Sequence, residues 1–381
     1  MSKIAFIADV HAQRSAWANK PIEGDTAFAL TQFAHICDKE GVEVAVGLGD
    51  LKERPITKSY DDGLWLDFLQ RLQDRGVAFA YVQGNHDKAD PPCLWHYPNA
   101  VHLHEKTFEA NDGEVLYGLD YQDADSLQAA LDAVPDEATI LCCHQRWSQF
   151  MGSATNPQGS LTDVRGDNLW LVASGDLHET VEKTFQPKFG GEMSFLSPGP
   201  PTIQSIVEDE DKYVFILADR ELKRVRLKSR AVLRSPTMNA RNELEEFLEG
   251  LPHRIAAAVE KAAADGLPPE LQTPILHVRY SHKLDDCARR VMRLVGDKAH
   301  LFWKETPPDE DESDAKVAVI AKGEAVTPLG LLRHVVDPDQ EPEAYALLER
   351  GLTARDKDAM RQATKDFCEN YLGVSDVDQG S

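Results

Sequence analysis

Five short stretches of this chain set carboxylate, amide and imidazole groups directly behind apolar runs: Asp9 and His11 in ADVH, Asp50 in LGD, Asn85, His86 and Asp87 in GNHD, His144 in CCH, and Asp176 with His178 in GDLH. Oxygen and imidazole donors suit hard or borderline divalent cations such as Mn²⁺, Mg²⁺ or Fe²⁺. The lack of thiolates among them argues against a structural zinc site. Asp9, His11, Asp50, Asn85, His144, Asp176 and His178 are too many ligands for one ion. They suit two ions sharing a bridging carboxylate, and a pair ~3.5–4 Å apart is the arrangement that clamps both oxygens of an in-line phosphoryl displacement. A single D-x-H triplet says little, because Asp is a common turn residue. The five motifs in order, each behind an apolar run, carry the inference. Other histidines, such as His35, His102, His104 and His334, fit no such pattern and read as surface or core residues.

For five separated loops to meet, the chain between them must alternate strand and helix, and its apolar pattern does so. Ile4 to Ile7 form a short apolar run; Leu30, Phe33, Ala34 and Cys37 recur at helical spacing; VEVAVGL reads as a strand. Next come a helical face of Leu64, Trp65, Phe68, Leu69 and Leu72, the strand VAFAYV, a helix around Ser126 to Val134, and the strand ATILCC. Alternation of this kind predicts an α/β layered fold. In such a sheet the loops after the carboxyl ends of strands gather on one edge. Farther on, KTFQPKFGGEMSFLSPGPP and KYVFILADRELKRVRL read as antiparallel hairpins with turns at FGGE and ADRE.

Residues 235–306 change character. Two helices, Glu243 to Gly250 and His253 to Asp265, precede a small β-α-β module made of ILHVRYS, a helix around Leu284 to Val295, and AHLFW. Residues 307–325 form an acidic linker, and 326–381 read as short C-terminal helices. The core domain is expected over residues 1–234.

The formal charge of −23 argues against a surface that grips nucleic acid by phosphate neutralisation everywhere. It leaves room for a DNA enzyme whose metal site, partner or one basic segment supplies the positive charge. Arg220 to Arg234, RELKRVRLKSRAVLR, is such a segment, read equally well as a β-hairpin with a charged outer face. No apolar stretch approaches the ~18 residues of a membrane span, so no membrane partner is expected and a cytoplasmic location is the default. The six cysteines lack C-x-x-C spacing and read as reduced core thiols.

The motif order D-x-H, GD, GNHD, H and G-x-x-H resembles the calcineurin-like metallophosphoesterase superfamily. Within it, GDLKERP and SFLSPGPPT resemble segments of the SbcD-type, meiotic-recombination-eleven-like nucleases that repair DNA double-strand breaks. The motif resemblance covers residues 9–178. It implies a four-layer β-sandwich flanked by helices, with a small α+β capping, DNA-binding domain and ATPase-docking C-terminal helices. By position, Asp9, His11 and His178 would hold one metal, Asp50 would bridge, and Asn85 and His144 would hold the second. Asp176 replaces a histidine ligand usual in the family, and Glu53 replaces a histidine near the DNA. His86 would contact the scissile phosphate or protonate the leaving oxygen, with Asp87 orienting it or its loop. Lys52, Arg54 and Arg146 would touch substrate.

The resemblance further implies manganese-dependent 3′-to-5′ exonuclease action on duplex ends and endonuclease action on single strands, with magnesium as the alternative ion. No G-x-x-x-x-G-K-[ST] sequence occurs, so an ATP-driven step would need a separate SbcC-like coiled-coil ABC ATPase. A homodimer through helices near residues 60–75 and 90–100 is the expected assembly. Two competing readings are a phosphatase or cyclic-nucleotide phosphodiesterase on the same metal core, and a catalytically silent scaffold.

Overall fold

The computed structural model describes residues 3–12, 25–55, 59–111, 113–151, 157–205, 208 and 210–306. The expected acidic linker and C-terminal helices, 307–381, lie outside the described residues. The elements run β1 (Ile4–Ile7), α1 (Asp25–Glu40), β2 (Val44–Leu48), α2 (Ser59–Gln73), β3 (Ala78–Val82), β4 (Ala100–His102), β5 (Thr107–Glu109) and β6 (Val115–Leu119). They continue as α3 (Ala124–Asp132), β7 (Ile140–His144), β8 (Leu171–Gly175), β9 (Val181–Phe185), β10 (Met193–Ser197), β11 (Lys212–Ala218) and β12 (Glu221–Leu227). Last come β13 (Val232–Met238), α4 (Arg241–Ala264), α5 (Pro269–Gln272), β14 (Ile275–Ser281), α6 (Cys287–Val295) and β15 (His300–Thr306).

Two six-stranded sheets, β12-β11-β1-β2-β3-β4 and β5-β6-β7-β8-β10-β9, face each other. Alternation of side chains along each strand builds the layers. Ile4, Phe6, Val44, Val46, Leu48, Ile140, Cys142, Leu171 and Ala173 point into the space between the sheets. The intervening residues Ala5, Ile7, Ala45 and Phe79 pack outward against Leu30 and Phe33 of α1 and Trp65, Phe68 and Leu72 of α2. On the second sheet Leu141, Cys143 and Val172 meet Leu127 and Leu131 of α3. The result is a helix–sheet–sheet–helix sandwich, a mixed α/β fold as the pattern predicts. Strands buried on both faces read as unbroken apolar runs. β1-β2-β3-β4 and β6-β7-β8 run parallel, so their carboxyl ends share one edge.

The described residues up to 280, together with 285–304, form one compact unit. The cap expected to begin at 235 therefore belongs largely to the same unit as the sandwich. Arg230, almost fully buried, ties them: its guanidinium donates to Asp25 at the start of α1 (3.0 Å) and to the carbonyls of Glu270 (3.0 Å) and Thr273 (2.8 Å).

Three local expectations are corrected. Pro252 does not divide two helices: α4 passes through it as one element. A proline removes one N–H···O bond, and packing of Leu244, Phe247, Leu251 and Ile255 on the cap outweighs that loss. Residues 220–234 are not a single hairpin, because β12 pairs with β11 and β13 leaves to join β14 in a separate sheet, β13-β14-β15. The segment 90–100 holds turns rather than a helix. The ADRE turn is as expected, with Asp219 (φ 54°) and Arg220 (φ 61°) both left-handed, as a tight two-residue hairpin requires.

Candidate metal centre

Pairing between β1 and β2 continues past the sheet. The amide of Asp9 donates to the carbonyl of Gly49 (3.1 Å), that of His11 to Asp50 (2.8 Å) and that of Ala12 to Leu51 (3.0 Å). The first two motifs are thereby locked in register. The backbone is bent to do this: Asp9 (φ 51°), His11 (φ 44°), Asp50 (φ 48°) and Asp176 (φ 74°) all adopt left-handed conformations. For residues other than glycine each such bend costs about 1 kcal/mol or more. Strain of this kind concentrates at functional sites. Two glycines make the approach feasible. Gly49 (φ 83°) faces the His144 ring, where a Cβ would lie 2.6 Å from Cγ; at Gly84 a Cβ would lie 2.5 Å from the Asp50 nitrogen and 2.7 Å from its carboxyl carbon.

Asp50 is the centre of the arrangement. Its Oδ1 accepts the His86 amide at 2.9 Å. Its Oδ2 faces His11 Nε2 at 3.5 Å, His144 Nε2 at 3.4 Å and His86 Nε2 at 4.0 Å. Asp9 Oδ1 accepts the Asp176 amide (3.0 Å) and lies 4.0 Å from His178 Nε2. Asp176 Oδ1 stands 3.5 Å from His144 Nε2. Asp9, His11 and His178 form one nest of mutually close ligand atoms, and Asp9, Asp50 and His144 form another. Asn85 lies exposed in the next loop, one residue before His86.

The donor set fits divalent cations. Asp9 Oδ2, His11 Nε2, His144 Nε2 and Asp176 Oδ2 are buried yet have no hydrogen-bond partner among the described residues. Groups of this kind are normally satisfied, and leaving one bare costs about 1–3 kcal/mol. Here they converge from separate loops. Their electrostatics also call for positive charge. Burial pushes the Asp9 carboxyl above its usual range, only partly opposed by His144 and His178. Burial opposes ionisation of Asp50 too, yet His144 and His11 hold it down at about 2. Against its own burial, His144 is raised well above an ordinary histidine by Asp50, Asp176 and Asp9.

A layer of supporting groups aims the imidazoles. His144 Nδ1 is bonded to the Leu48 carbonyl (2.8 Å), His11 Nδ1 to Glu53 (2.8 Å) and His178 Nδ1 to Glu208 (3.2 Å). In each case this leaves Nε2 for the site, as fixed tautomers do around metals. Glu208 went unremarked in the sequence. It sits in an acidic run, 30 residues after its partner, and no spacing marks it. Glu53 stands beside both His11 and His86, 3.7 Å from His86 Nδ1.

One expected role changes. Lys52 does not face a substrate: it is buried, and its ammonium donates to the Cys93 carbonyl (3.0 Å). Asp87, expected to orient His86 or its loop, holds the loop: it is a buried tie that accepts the amides of Leu51 (2.7 Å), Lys52 (3.2 Å) and Gly84 (2.7 Å). Burial, with Asp50 nearby, pushes its carboxyl up to about 6. Of the other expected substrate contacts, Arg54 is exposed, and Arg146 lies at the site with Nε 3.4 Å from Asp176 Oδ2 and Nη2 donating to Tyr121 Oη (3.2 Å).

The chain resembles several solved structures. TT1561 of Thermus thermophilus is 16% identical, with a TM-score of 0.40, over 60% of this chain and 99% of that one. A dimetal phosphatase from Danio rerio is 13% identical, with a TM-score of 0.42, over 59% of this chain and 95% of the other. A purple acid phosphatase from yellow lupin (Lupinus luteus) seeds is 13% identical, with a TM-score of 0.39, over 59% of this chain and 51% of the other. Comparison with curated protein sequences returned no match. Residues 2–197, just over half of the chain, match the family described as calcineurin-like phosphoesterase, and they contain all five polar loops. The chain belongs to the calcineurin-like phosphoesterase family.

Proposed function

We propose that this protein is a two-metal phosphodiesterase that cleaves DNA in break repair or recombination. The observation that carries the two-metal part is the pair of ligand nests that share Asp9, one of which contains Asp50. Asp9, His11 and His178 would hold one ion and Asn85, His144 and Asp176 the other, with Asp50 between them. Bound there, Mn²⁺, or Mg²⁺ as the alternative, supplies Lewis-acid neutralisation of the phosphate. His86 faces the same carboxylate and its side chain is 39% exposed, which supports it as the group that would protonate a departing 3′ oxygen. Arg146, beside Asp176, and the exposed Arg54 are the proposed phosphate contacts; Lys52 is withdrawn from that role.

DNA as substrate is supported by the GDLKERP and SPGPP segments and by a cap packed on the sandwich through Arg230. A homodimer is supported by Leu66 of α2 (57% exposed) and Trp95 (63% exposed), large apolar side chains near the expected contact region. The SbcC-like ATPase would supply the ATP-driven step that this sequence lacks, with residues 326–381 as its docking element.

A second reading, hydrolysis of small phosphoesters or cyclic nucleotides, is favoured by the charge on β12. Its basic side chains are spoken for: Lys223 pairs with Glu40, Arg226 with Asp211, Arg220 in the preceding turn with Glu114, and Arg224 stacks over Tyr213. The expected basic strip is therefore largely neutralised. End-labelled linear duplex DNA and bis-p-nitrophenyl phosphate, incubated in Mn²⁺, Mg²⁺ or chelator beside His86→Ala, separate the readings. Metal-dependent shortening of DNA that the variant lacks supports the nuclease. Turnover of the small diester alone supports the second reading, and inactivity on both favours the catalytically silent scaffold.

A further inference from the structure

The loop carrying Asn85 and His86 is closed at its base by one side chain. Gln83, directly before it, accepts the amides of Ala89 (3.2 Å) and Cys93 (2.8 Å) through Oε1 and donates Nε2 to the Ala89 carbonyl (3.1 Å). The amide thus bonds both polar groups of Ala89's backbone, like a missing strand residue. Its orientation is dictated by Asp120 at the end of β6. Asp120 Oδ2 accepts Gln83 Nε2 (3.1 Å) and Oδ1 accepts the Gln83 backbone N–H (2.7 Å). His102 Nε2 faces both oxygens at 2.9 Å. Asp120 also reaches the other side of the site, since its carbonyl accepts Gln145 Nε2 (3.2 Å), next to His144. One buried residue is therefore bonded to both loops that carry Asn85 and His144.

We propose that Asp120, acting through Gln83, is a positioning residue that sets the place of the Asn85 loop relative to His144 and with it the affinity for the second metal ion. This rests on the two-metal reading above. Both carboxylate oxygens face donors, so an amide at this position must turn its NH₂ toward one of them whichever way it is placed. If it meets Gln83 Nε2, that amide flips and loses its bonds from Ala89 and Cys93. If it meets the Gln83 backbone N–H, the strand end is pushed away. Outer groups that aim ligands typically govern metal affinity by 10–100-fold.

The test is Mn²⁺ titration of the full chain by isothermal calorimetry, with the electron paramagnetic resonance of coupled Mn²⁺ pairs as a second readout. Wild type is expected to bind two ions. In Asp120→Asn the weaker site should lose at least about 10-fold in affinity, with the coupled-pair signal diminished and the tighter site unchanged. Asp123→Ala, which strips the exposed N-cap of α3 bonded to the Ser126 amide, destabilises the same region and should leave both sites untouched. Should Asp120→Asn not fold, Gln83→Met removes the clasp at similar volume and carries the same expectation. Two wild-type affinities in folded Asp120→Asn or Gln83→Met overturn the proposal. Fewer than two ions in wild type overturns instead the reading of the site on which it rests.

Discussion

Gly84→Ala tests whether the site depends on the close approach of two loops. Gly84 has no left-handed backbone angle, so alanine is conformationally acceptable there. The conflict is purely one of space. A Cβ would sit 2.5 Å from the Asp50 nitrogen and 2.7 Å from its carboxyl carbon, whereas ordinary contact begins near 3.4 Å. Relief requires roughly 1 Å of movement, beyond the ~0.5 Å tolerance of a working constellation. Asp50 cannot yield alone, because its Oδ1 holds the His86 amide and its Oδ2 lies among His11, His144 and His86. A misplacement of this size costs about 100-fold in rate, equivalent to about 2.7 kcal/mol. Gly63→Ala is the control: it lies in α2 with nothing within 4 Å, and should stabilise by about 0.5–1 kcal/mol without changing turnover. Initial rates on the best wild-type substrate at saturating Mn²⁺, with melting curves to certify folding, give the comparison. A folded Gly84→Ala protein within threefold of wild-type kcat/KM would falsify the account of a sterically set Asp50.

Asp87→Ala leaves the three buried amides of Leu51, Lys52 and Gly84 without their acceptor and should cost about 3 kcal/mol or more in urea unfolding; a loss below 1 kcal/mol would show that the tie is dispensable. Asp120 is buried, but bonds from His102 and Gln83 hold its carboxyl below the usual range, so its contribution is complete above the unfolded carboxylate pKa near 3.9 and disappears as pH falls through the lower folded value. Wild type should therefore lose stability below about pH 4 more steeply than Asp120→Asn, and parallel acid limbs would contradict this. Burial lifts the Cys37 and Cys143 thiols to about 12, and all five described cysteines are free and buried. In Cys368→Ser no thiol should react with Ellman's reagent until urea is added; rapid labelling of the native protein would expose an error in the core.

The chemistry was the most legible part of the sequence, because the strands that carry it are buried on both faces. VAVGL and ILCC are unbroken runs without a polar side chain, and a carboxylate or imidazole directly behind such a run has few places to be except the sheet edge. What escaped were pairings without spacing. Glu208 supports His178 and Asp120 orients Gln83; each partnership is fixed by tertiary packing and leaves no periodic trace. Lys52 misled for the opposite reason. A lysine beside a metal motif looks like a phosphate contact, but its side chain turns inward along apolar surface to the Cys93 carbonyl. Pro252 misled because local helix propensity is weak beside the packing of the apolar face of α4.

The left-handed bends at Asp9, His11, Asp50 and Asp176 place folding and chemistry in opposition. Glycine relaxes such angles at no steric cost, and at Asp176 it would also remove a carboxylate whose Oδ2 is buried without a hydrogen bond. Laboratory selection for thermal endurance alone, in metal-free medium, should thus drift toward glycine at Asp176, whereas the carboxylates of Asp9 and Asp50 hold backbone amides that glycine would leave unpaired. The hardiest descendants of this protein would be the ones that had forgotten its reaction, so any programme to stabilise it must screen for metal retention at every round.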